Sequence, residues 1–286
     1  LMFGVGGLAG AVGSGAAWLI SRYEFPVRRW LEWLLLLPLA IPAYVGAYAL
    51  VDFLEYAGPV QTTLRQLFGW QTARDYWFPE IRSLGGAAVM LVLVFYPYVY
   101  LLARAAFLQQ SSGAFLAART LGNSAWTAFW RVSLPMARPA IAGGVLLAVM
   151  ETIADFGTVS YFGVQTFATG IYTSWFSLAD RAGAAQLALC LLSFALMLAV
   201  LERTTRGKAR YHQAGKRHAS MPPAELKGLA AFGAWVLCAV PVVLGFLLPV
   251  FILFSMGMQS EQDLLSRRYI GFLQNSLLLA ATAAVL

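Results

Sequence analysis

Residues 84–108 read LGGAAVMLVLVFYPYVYLLARAAFL, an apolar run in which Arg104 is the one charged residue. A hydrocarbon core about 30 Å thick is crossed by roughly 20 apolar residues in a helix. Only helices and closed barrels satisfy their backbone hydrogen bonds in lipid. Since this run is continuous and does not alternate every second residue, it predicts a membrane-spanning helix and not a barrel strand.

The whole chain repeats this pattern. Its 286 residues are 60% hydrophobic and 12% charged, whereas an average soluble domain has about 25% charged residues. The sequence therefore predicts an all-α fold, a polytopic bundle of transmembrane helices. We expect spans at about residues 1–20, 34–54, 84–108, 139–160, 184–201 and 228–256, with a seventh that starts near residue 272. Leu1 and Leu286 both fall inside apolar runs, so the bundle is expected to be truncated at both ends.

The basic residues indicate the orientation of the spans. Segments 21–33, 104–138 and 202–227 hold fourteen of the twenty lysines and arginines, including every lysine. By the positive-inside rule these segments face the cytoplasm. Because the charge follows the loops of a membrane protein, we expect no nucleic-acid partner. Segment 55–83 then lies outside, where its many aromatic side chains suit either a membrane-interface belt or the docking of an external partner.

The long loop before the predicted fourth span contains FLAARTLGNSAWTAFWRVSLPMARPAI, residues 115–141. Good helix formers precede Gly122 and Asn123, which are typical of the end of a turn. Aromatic residues follow at spacings of three and four, namely Trp126, Phe129 and Trp130. The pattern predicts two short helices with an apolar stripe. The residue pairs that end in Pro135 and Pro139 are expected to interrupt the chain before the next span.

This loop resembles the EAA loop of permeases in binding-protein-dependent ABC importers, which reads EAA, three residues, Gly, nine residues, Ile, one residue, Leu-Pro. Val132 stands in place of Ile, and Leu116 stands in place of the family's Glu. The resemblance implies a helix that fits a groove on the ATP-binding subunit and passes the closure of that subunit to the spans. The alternative is an ordinary amphipathic interfacial helix. The residues implied in coupling are Leu116, Ala117, Ala118, Arg119, Gly122, Val132, Leu134 and Pro135.

Two carboxylates lie in the predicted fourth span. Glu151 and Asp155 are one helical turn apart and so share a face. Charged groups at such depth cost several kcal/mol and usually face a bundle interior or a wet cavity. Two roles stay open. Either the pair lines the translocation path, or it forms hydrogen bonds across helices that hold a gate.

Residues 151–176, ETIADFGTVSYFGVQTFATGIYTSWF, are similar to the iron(III) branch of the same permease family. Thiamine, polyamine and molybdate permeases are close relatives of that branch. Iron(III) permeases of this type are commonly one chain of two fused halves. The resemblance implies a first half at 1–201 that lacks its first helix, a basic cytoplasmic linker at 202–227 and the start of a second half at 228–286.

The same resemblance implies a multi-pass permease of the bacterial inner membrane that moves iron(III) inward by alternating access. Its expected partners are an ATP-binding cassette subunit in two copies, a periplasmic substrate-binding protein and membrane lipid. The chain has no GxxxxGK[ST] motif, so ATP hydrolysis is expected in a separate subunit and the chain itself is not expected to be an enzyme. Cys190 and Cys238 form no CxxC spacing and no His cluster accompanies them, so we predict neither a metal site nor a cofactor.

Other functions compete with this one. A permease of the same family could carry thiamine, a polyamine or another small solute. In a different class stand an ATP-independent channel and a secondary transporter. A membrane-embedded enzyme is a third class, but the loops lack the His-rich or metal-ligand clusters that such an enzyme uses.

Overall fold

The computed structural model describes residues 1–110, 112–206, 224–259 and 266–285. These residues are almost entirely helical, which confirms the all-α bundle. The chain divides into two compact units, Leu1–Val250 and Phe251–Leu286.

The first unit contains most of the helices. They are α1 (Met2–Arg22), α2 (Arg28–Leu34), α3 (Ala43–Leu54), α4 (Pro59–Phe68), α5 (Leu84–Gln109), α6 (Ser112–Thr120), α7 (Ala125–Ala128), α8 (Leu134–Ala154), α9 (Gly157–Tyr161), α10 (Phe167–Tyr172), α11 (Arg181–Arg206) and α12 (Gly228–Val242), with α13 (Leu248–Gln259) running into the second unit. A 3-10 turn forms at Leu37–Ala40, and π-helical turns form at Phe129–Ser133, Thr173–Ser177 and Val243–Leu247. Strands β1 (Tyr23–Glu24) and β2 (Ala224–Glu225) make one short parallel pair.

Helices α1, α5 and α8 pack closely because glycines face their neighbours. A Cβ atom added to Gly13 of α1 would lie 2.7 Å from the carbonyl oxygen of Tyr96 in α5. One added to Gly144 of α8 would lie 2.6 Å from the Cα atom of Val99. Such small-residue contacts let membrane helices approach backbone to backbone. These three helices therefore form the centre of the first unit.

Five helices of the described chain are long and apolar enough to cross a membrane: Met2–Arg22, Leu84–Gln109, Ala125–Ala154, Arg181–Val200 and Gly228–Gln259. The predicted span at 34–54 is not a straight helix, since the segments Arg28–Ala40 and Ala43–Phe68 meet at a bend of 93°. Ile41 has an extended backbone at the bend, as expected for the residue before a proline. The predicted second span is therefore formed by two helical segments that meet at this bend.

The predicted span at 139–160 is displaced toward the N-terminus. The helix Ala125–Ala154 already includes Pro135 and Pro139. Pro135 lies in the first turn of α8, and a π-helical turn precedes it, so its missing N–H does not end the helix. The prediction that these prolines interrupt the chain before the span is wrong.

The three segments rich in basic residues meet at one end of the first unit. β1, from segment 21–33, pairs with β2, at the end of segment 202–227. Arg104 forms an ion pair with Glu32 of α2, and the Tyr100 hydroxyl donates to the Glu32 carbonyl at 3.0 Å. This grouping agrees with the predicted common side of the three segments, which we call the basic end.

The opposite end of the first unit is closed by a contact between segment 55–83 and α9. Arg82 Nε donates to Glu55 Oε1 at 2.9 Å, and Arg82 Nη1 donates to the Tyr161 carbonyl at 2.9 Å. The side chain of Arg82 therefore joins the chain before α5 to the helix that follows α8.

Segment 55–83 is itself folded, with α4 inside it. The ring of Trp70 stacks on Phe68 and Tyr76, with centroid distances of 4.7 and 4.8 Å. The Tyr76 hydroxyl donates to Gln61 Oε1 at 2.5 Å, and Gln61 Nε2 donates to the Leu54 carbonyl. Three aromatic residues of this segment thus pack on one another, whereas Trp77 is 86% exposed.

The second unit is described from Phe251 to Gln259 and from residue 266 to 285. Its helix α14 (Arg267–Val285) begins before the predicted start near residue 272, and it is not among the candidate spans of the described chain. Two arginines in its first turn lower its mean hydropathy. Most of the predicted linker, residues 207–223, lies outside the described residues.

Candidate functional site

The motif segment, residues 116–135, starts in helix α6. This helix ends in a Schellman motif, in which the Asn123 N–H donates to the Ala118 carbonyl at 3.2 Å and the Gly122 N–H donates to the Arg119 carbonyl at 3.1 Å. Gly122 has a φ of +85°, a left-handed conformation that glycine adopts without strain. The predicted helix end at Gly122 is confirmed.

The rest of the motif segment belongs to a long helix. The Ser124 hydroxyl caps α7 by accepting from the Thr127 N–H at 3.1 Å. α7 continues through the π-helical turn Phe129–Ser133 into α8, so that Ala125–Ala154 is one helix. The prediction of a second short helix is wrong, because the π-helical turn joins α7 to the span.

One face of this region packs on the basic end of α1 and α5. The indole of Trp18 is 6% exposed and lies 5.3, 5.8 and 4.7 Å from the rings of Phe107, Phe115 and Phe129, between centroids. The guanidinium of Arg22 lies 5.4 Å from the Trp18 ring and 5.2 Å from the Phe115 ring. We call the four rings of Trp18, Phe107, Phe115 and Phe129 the aromatic joint.

The other face is exposed and apolar. Leu121 is 82% exposed and Trp126 is 68% exposed, and Leu116 and Trp130 are exposed as well. The rings of Trp126 and Trp130 lie 5.6 Å apart. The predicted aromatic stripe is therefore divided, since Phe129 is buried while the two tryptophans face outward. Grouped exposed apolar side chains of this kind mark an interaction surface.

The eight residues implied in coupling are divided between these faces. Exposed are Leu116, Ala117, Arg119 and Gly122, partly buried are Val132, Leu134 and Pro135, and buried is Ala118. The motif thus combines residues that present a surface with residues that attach this surface to the bundle.

A cavity of about 350 Å³ lies beside the bend in the second span. Its lining includes Ile41 and Pro42 at the bend, Tyr98 of α5, and both Glu151 and Asp155. Non-helical backbone at membrane depth is tolerated where it lines a cavity. The structure therefore brings the two predicted carboxylates together, and it places them opposite a broken helix.

The two carboxylates have different surroundings. Asp155 follows the last residue of α8, and its N–H still donates to the Glu151 carbonyl at 2.9 Å, so the two carboxylates share a face as predicted. Asp155 Oδ1 accepts from the Val159 N–H and its Oδ2 from the Thr158 hydroxyl, both at 3.0 Å. Glu151 is exposed, and its carboxylate has no hydrogen bond or ion pair within the described residues. No three His, Cys, Asp or Glu side chains of the described ranges group as a metal site would require.

Two residues of these sites were missed by the sequence reasoning. Tyr98 lies in an apolar run with other tyrosines, and no local pattern distinguishes the one that faces the cavity. Trp18 carries a weak signal, since Arg22 follows it by four residues and so lies on the same helical face. Its ring contacts join elements that are distant in sequence, and only the fold brings them together.

Sequence comparison identifies relatives that are permease proteins of transport systems. Fe(3+)-transport system permease protein FbpB 2 of Haemophilus influenzae is 26% identical over 206 residues, which are 72% of this chain and 36% of the relative. Molybdenum transport system permease protein ModB of Escherichia coli is 29% identical over 188 residues, which are 64% of this chain and 78% of the relative. Sulfate transport system permease protein CysW of Escherichia coli is 33% identical over half of this chain and 46% of the relative. The chain thus spans about a third of the iron relative and less than half of the sulfate relative.

The fold is also found in solved structures. A bacterial ABC transporter involved in the import of the acidic polysaccharide alginate matches 73% of this chain and 78% of its own, with a TM-score of 0.53 at 16% identity. Residues 9–207 match the family model described as binding-protein-dependent transport system inner membrane component. That stretch covers the larger part of α1, the motif segment, both carboxylates and α11. The chain belongs to this family of inner-membrane components of binding-protein-dependent transport systems.

Proposed function

We propose that this chain is the permease subunit of an ATP-driven importer of the bacterial inner membrane. One observation carries the proposal. Part of the exposed apolar face of the motif segment, at Trp126 and Trp130, lies at the start of the helix Ala125–Ala154. The other end of this helix lines the carboxylate cavity. A surface that a partner can push and a cavity that can open are therefore parts of the same helix.

The partner at the exposed face is an ATP-binding cassette subunit, in two copies for the complete transporter. Leu116, Leu121 and Trp126 leave apolar surface exposed at the basic end, which the positive-inside rule assigns to the cytoplasm. An apolar groove on a soluble partner would cover these side chains. Leu116 replaces the family's Glu, so this contact relies on apolar burial where relatives of the motif have a charge.

The cavity is part of the translocation path in this proposal. Of the two roles open for the carboxylates, lining the path is favoured over holding a gate. Asp155 forms its hydrogen bonds with Thr158 and Val159, which follow it directly, and not with another span. Glu151 is left without a partner among the described residues and faces the cavity with Tyr98. An incoming cation would meet the carboxylate of Glu151, which has no hydrogen bond within the described residues. The cation could leave again because the carboxylate of Asp155 is already hydrogen-bonded and would not bind it as well.

Iron(III) is the proposed substrate. A negative cavity attracts a cation and repels the oxyanions molybdate and sulfate, which relatives named above transport. The cavity gives no reason to prefer iron(III) over thiamine or a polyamine, which are also cations. The similarity of residues 151–176 to iron(III) permeases supports iron among these.

The transport cycle would be one of alternating access. A periplasmic binding protein delivers substrate to the end of the bundle that carries Arg82, and ATP closes the cytoplasmic subunits against the motif segment. ATP hydrolysis belongs to those subunits. In this assignment residues 1–201 belong to a first permease half, 202–227 are a cytoplasmic linker, and 228–286 belong to a second half.

The test is whether the motif segment holds an ATPase subunit. Deletion of residues 114–135 from the complete protein, and the milder pair Trp126→Ala and Trp130→Ala, should abolish co-purification of the ATP-binding subunit. The matched control is Trp30→Ala with Trp33→Ala, two exposed tryptophans of α2. Retention of the ATPase subunit by the deletion variant would refute the motif segment as its docking site. Failure of the parent protein to co-purify any ATP-binding subunit would favour an ATP-independent channel or a secondary transporter. Uptake of labelled iron(III), compared with thiamine, spermidine and molybdate, then identifies the substrate.

A further inference from the structure

The aromatic joint is the place where the motif segment meets helices that are remote from it in sequence. Trp18 belongs to α1, and its indole contacts Phe115 of α6, Phe129 of the π-helical turn and Phe107 of α5. One side chain thus touches three other elements. The chain itself connects the motif segment to α5, which is separated from α6 by two residues, and to α8, but not to α1.

Helix α6 depends on this joint for its attachment. Gly122 ends α6, and the buried side chains of its described part are Phe115 and Ala118. Phe115 packs on Trp18 and on the guanidinium of Arg22. Through Phe115, α6 therefore contacts two side chains of α1, the ring of Trp18 and the guanidinium of Arg22.

Arg22 strengthens the same contact. Its Nε and Nη2 atoms are buried and have no hydrogen-bond partner within the described residues. The faces of the Trp18 and Phe115 rings are then the groups that accept its charge, by cation–π attraction. A guanidinium shared between two rings resists their separation, because either ring that moved away would leave the buried charge less compensated.

Packed side chains transmit displacement because a close-packed interior has few voids into which they can yield. A shift of α6 or of the π-helical turn therefore moves the Trp18 indole or breaks its contacts. We propose that Trp18 is a positioning residue that transmits movement of the motif segment to α1, in addition to the covalent routes through α5 and α8. This inference rests on the proposed function, since the movement would be supplied by the ATPase subunits.

The experiment uses the complete permease with its ATP-binding subunits in nanodiscs, with Cys190→Ala to remove an exposed thiol. Ser160→Cys in α9, at the end opposite the joint, supplies a reporter thiol. Its rate of reaction with a maleimide is measured with and without MgATP and vanadate. Trp18→Ala should keep the ATP-binding subunits bound but reduce the nucleotide-dependent change in labelling by about fivefold. Trp18→Phe, which keeps a ring, should restore most of the change.

The matched control is Trp33→Ala in α2, an exposed tryptophan with no ring contact in the described structure. The inference is overturned if Trp18→Ala responds to nucleotide like the parent, or if Trp33→Ala loses as much of the response. Should Trp18→Ala yield no folded complex, Phe115→Leu decides by the same criterion, since it removes the ring from α6 and keeps an apolar side chain. A parent complex that fails to bind ATP-binding subunits would instead refute the proposed function.

Discussion

Trp126 and Glu151 lie on one uninterrupted helix, Ala125–Ala154, about 38 Å apart at 1.5 Å per residue. Trp126 is exposed at the basic end, and Glu151 lines the cavity near the other end of the helix. Because a helix resists bending except at defined irregularities, displacement of one of these residues also displaces the other. Two irregularities lie between these residues. They are the π-helical turn at Phe129–Ser133, where Phe129 contacts Trp18, and Pro139 inside α8.

Gly122→Ala should weaken the assembly with the ATPase subunit. Alanine at a φ of +85° costs about 1 kcal/mol or more, so the end of α6 would be displaced. Gly69→Ala provides a matched control, because Gly69 has a φ of +71° after α4 and, like Gly122, has open space around its Cβ position. Both variants should lose similar stability in thermal unfolding, but only Gly122→Ala should lose affinity in a titration with the ATP-binding subunit. Equal affinities would contradict a role for this helix end in coupling.

Glu151→Gln and Asp155→Asn should separate transport from stability. Glu151 has no hydrogen bond in the described structure, so its amide variant should keep the parent's melting temperature. Loss of its charge should lower cation uptake by roughly tenfold, the equivalent of about 1.4 kcal/mol. Asp155→Asn replaces two hydrogen bonds to a charged carboxylate, from Thr158 and Val159, by weaker neutral ones and should lower stability by about 1 kcal/mol. Uptake assays in proteoliposomes and thermal unfolding of the same preparations measure the two effects.

Gly13→Ala should disrupt the contact between α1 and α5. Its Cβ atom would lie 2.7 Å from the Tyr96 carbonyl oxygen, too close for either backbone to yield easily. Overpacking of this kind costs about 1–3 kcal/mol. Gly7→Ala on the same helix meets no atom within 4 Å and should be neutral or stabilising, since alanine favours a helix. Thermal unfolding in detergent compares the two variants, and a Gly7→Ala loss as large as that of Gly13→Ala would argue against this helix packing.

The Arg82–Glu55 ion pair should contribute little to stability on its own. Both side chains are 45% exposed, and water screens such pairs to less than about 1 kcal/mol. A double-mutant cycle with Arg82→Gln and Glu55→Gln measures this coupling, which should shrink further in high salt. Arg82→Gln alone should cost more than Glu55→Gln, because it also removes the hydrogen bond to the Tyr161 carbonyl and the contact with the Tyr161 ring. If Arg82→Gln and Glu55→Gln lowered the free energy of unfolding equally, the contacts of Arg82 with Tyr161 of α9 would contribute nothing to stability.

The positions of the helices were predictable to different degrees. The runs at 84–108 and 228–256 match α5 and the helix Gly228–Gln259 closely, because a long continuous apolar run with at most one charged residue satisfies its backbone in lipid as a helix. The bend in the second span was not predicted, although Pro42 was visible in the sequence. Whether a proline kinks a span, breaks it or begins a helix depends on what neighbouring helices can offer the freed backbone groups.

For the candidate sites, too, part was predictable from the sequence and part was not. The spacing from Ala117 to Pro135 identified the motif segment, since a turn glycine and a capped helix leave a local signature. The sequence did not reveal which of its side chains are exposed. Phe129 and Trp130 are neighbours with similar chemistry, yet one is buried against Trp18 and the other faces outward.

Sequence by itself determined the helical membrane class, the likeness of the motif segment to an importer permease and the presence of two carboxylates in an apolar region. These follow from local composition and spacing, which act over a few helical turns. The tertiary structure alone decided that Trp18 meets Phe115 and Phe129, that the bend at Pro42 faces Glu151, and that the motif segment and the span share one helix. Such contacts depend on how separate helices pack, and packing is set by the shapes of surfaces that lie far apart along the chain.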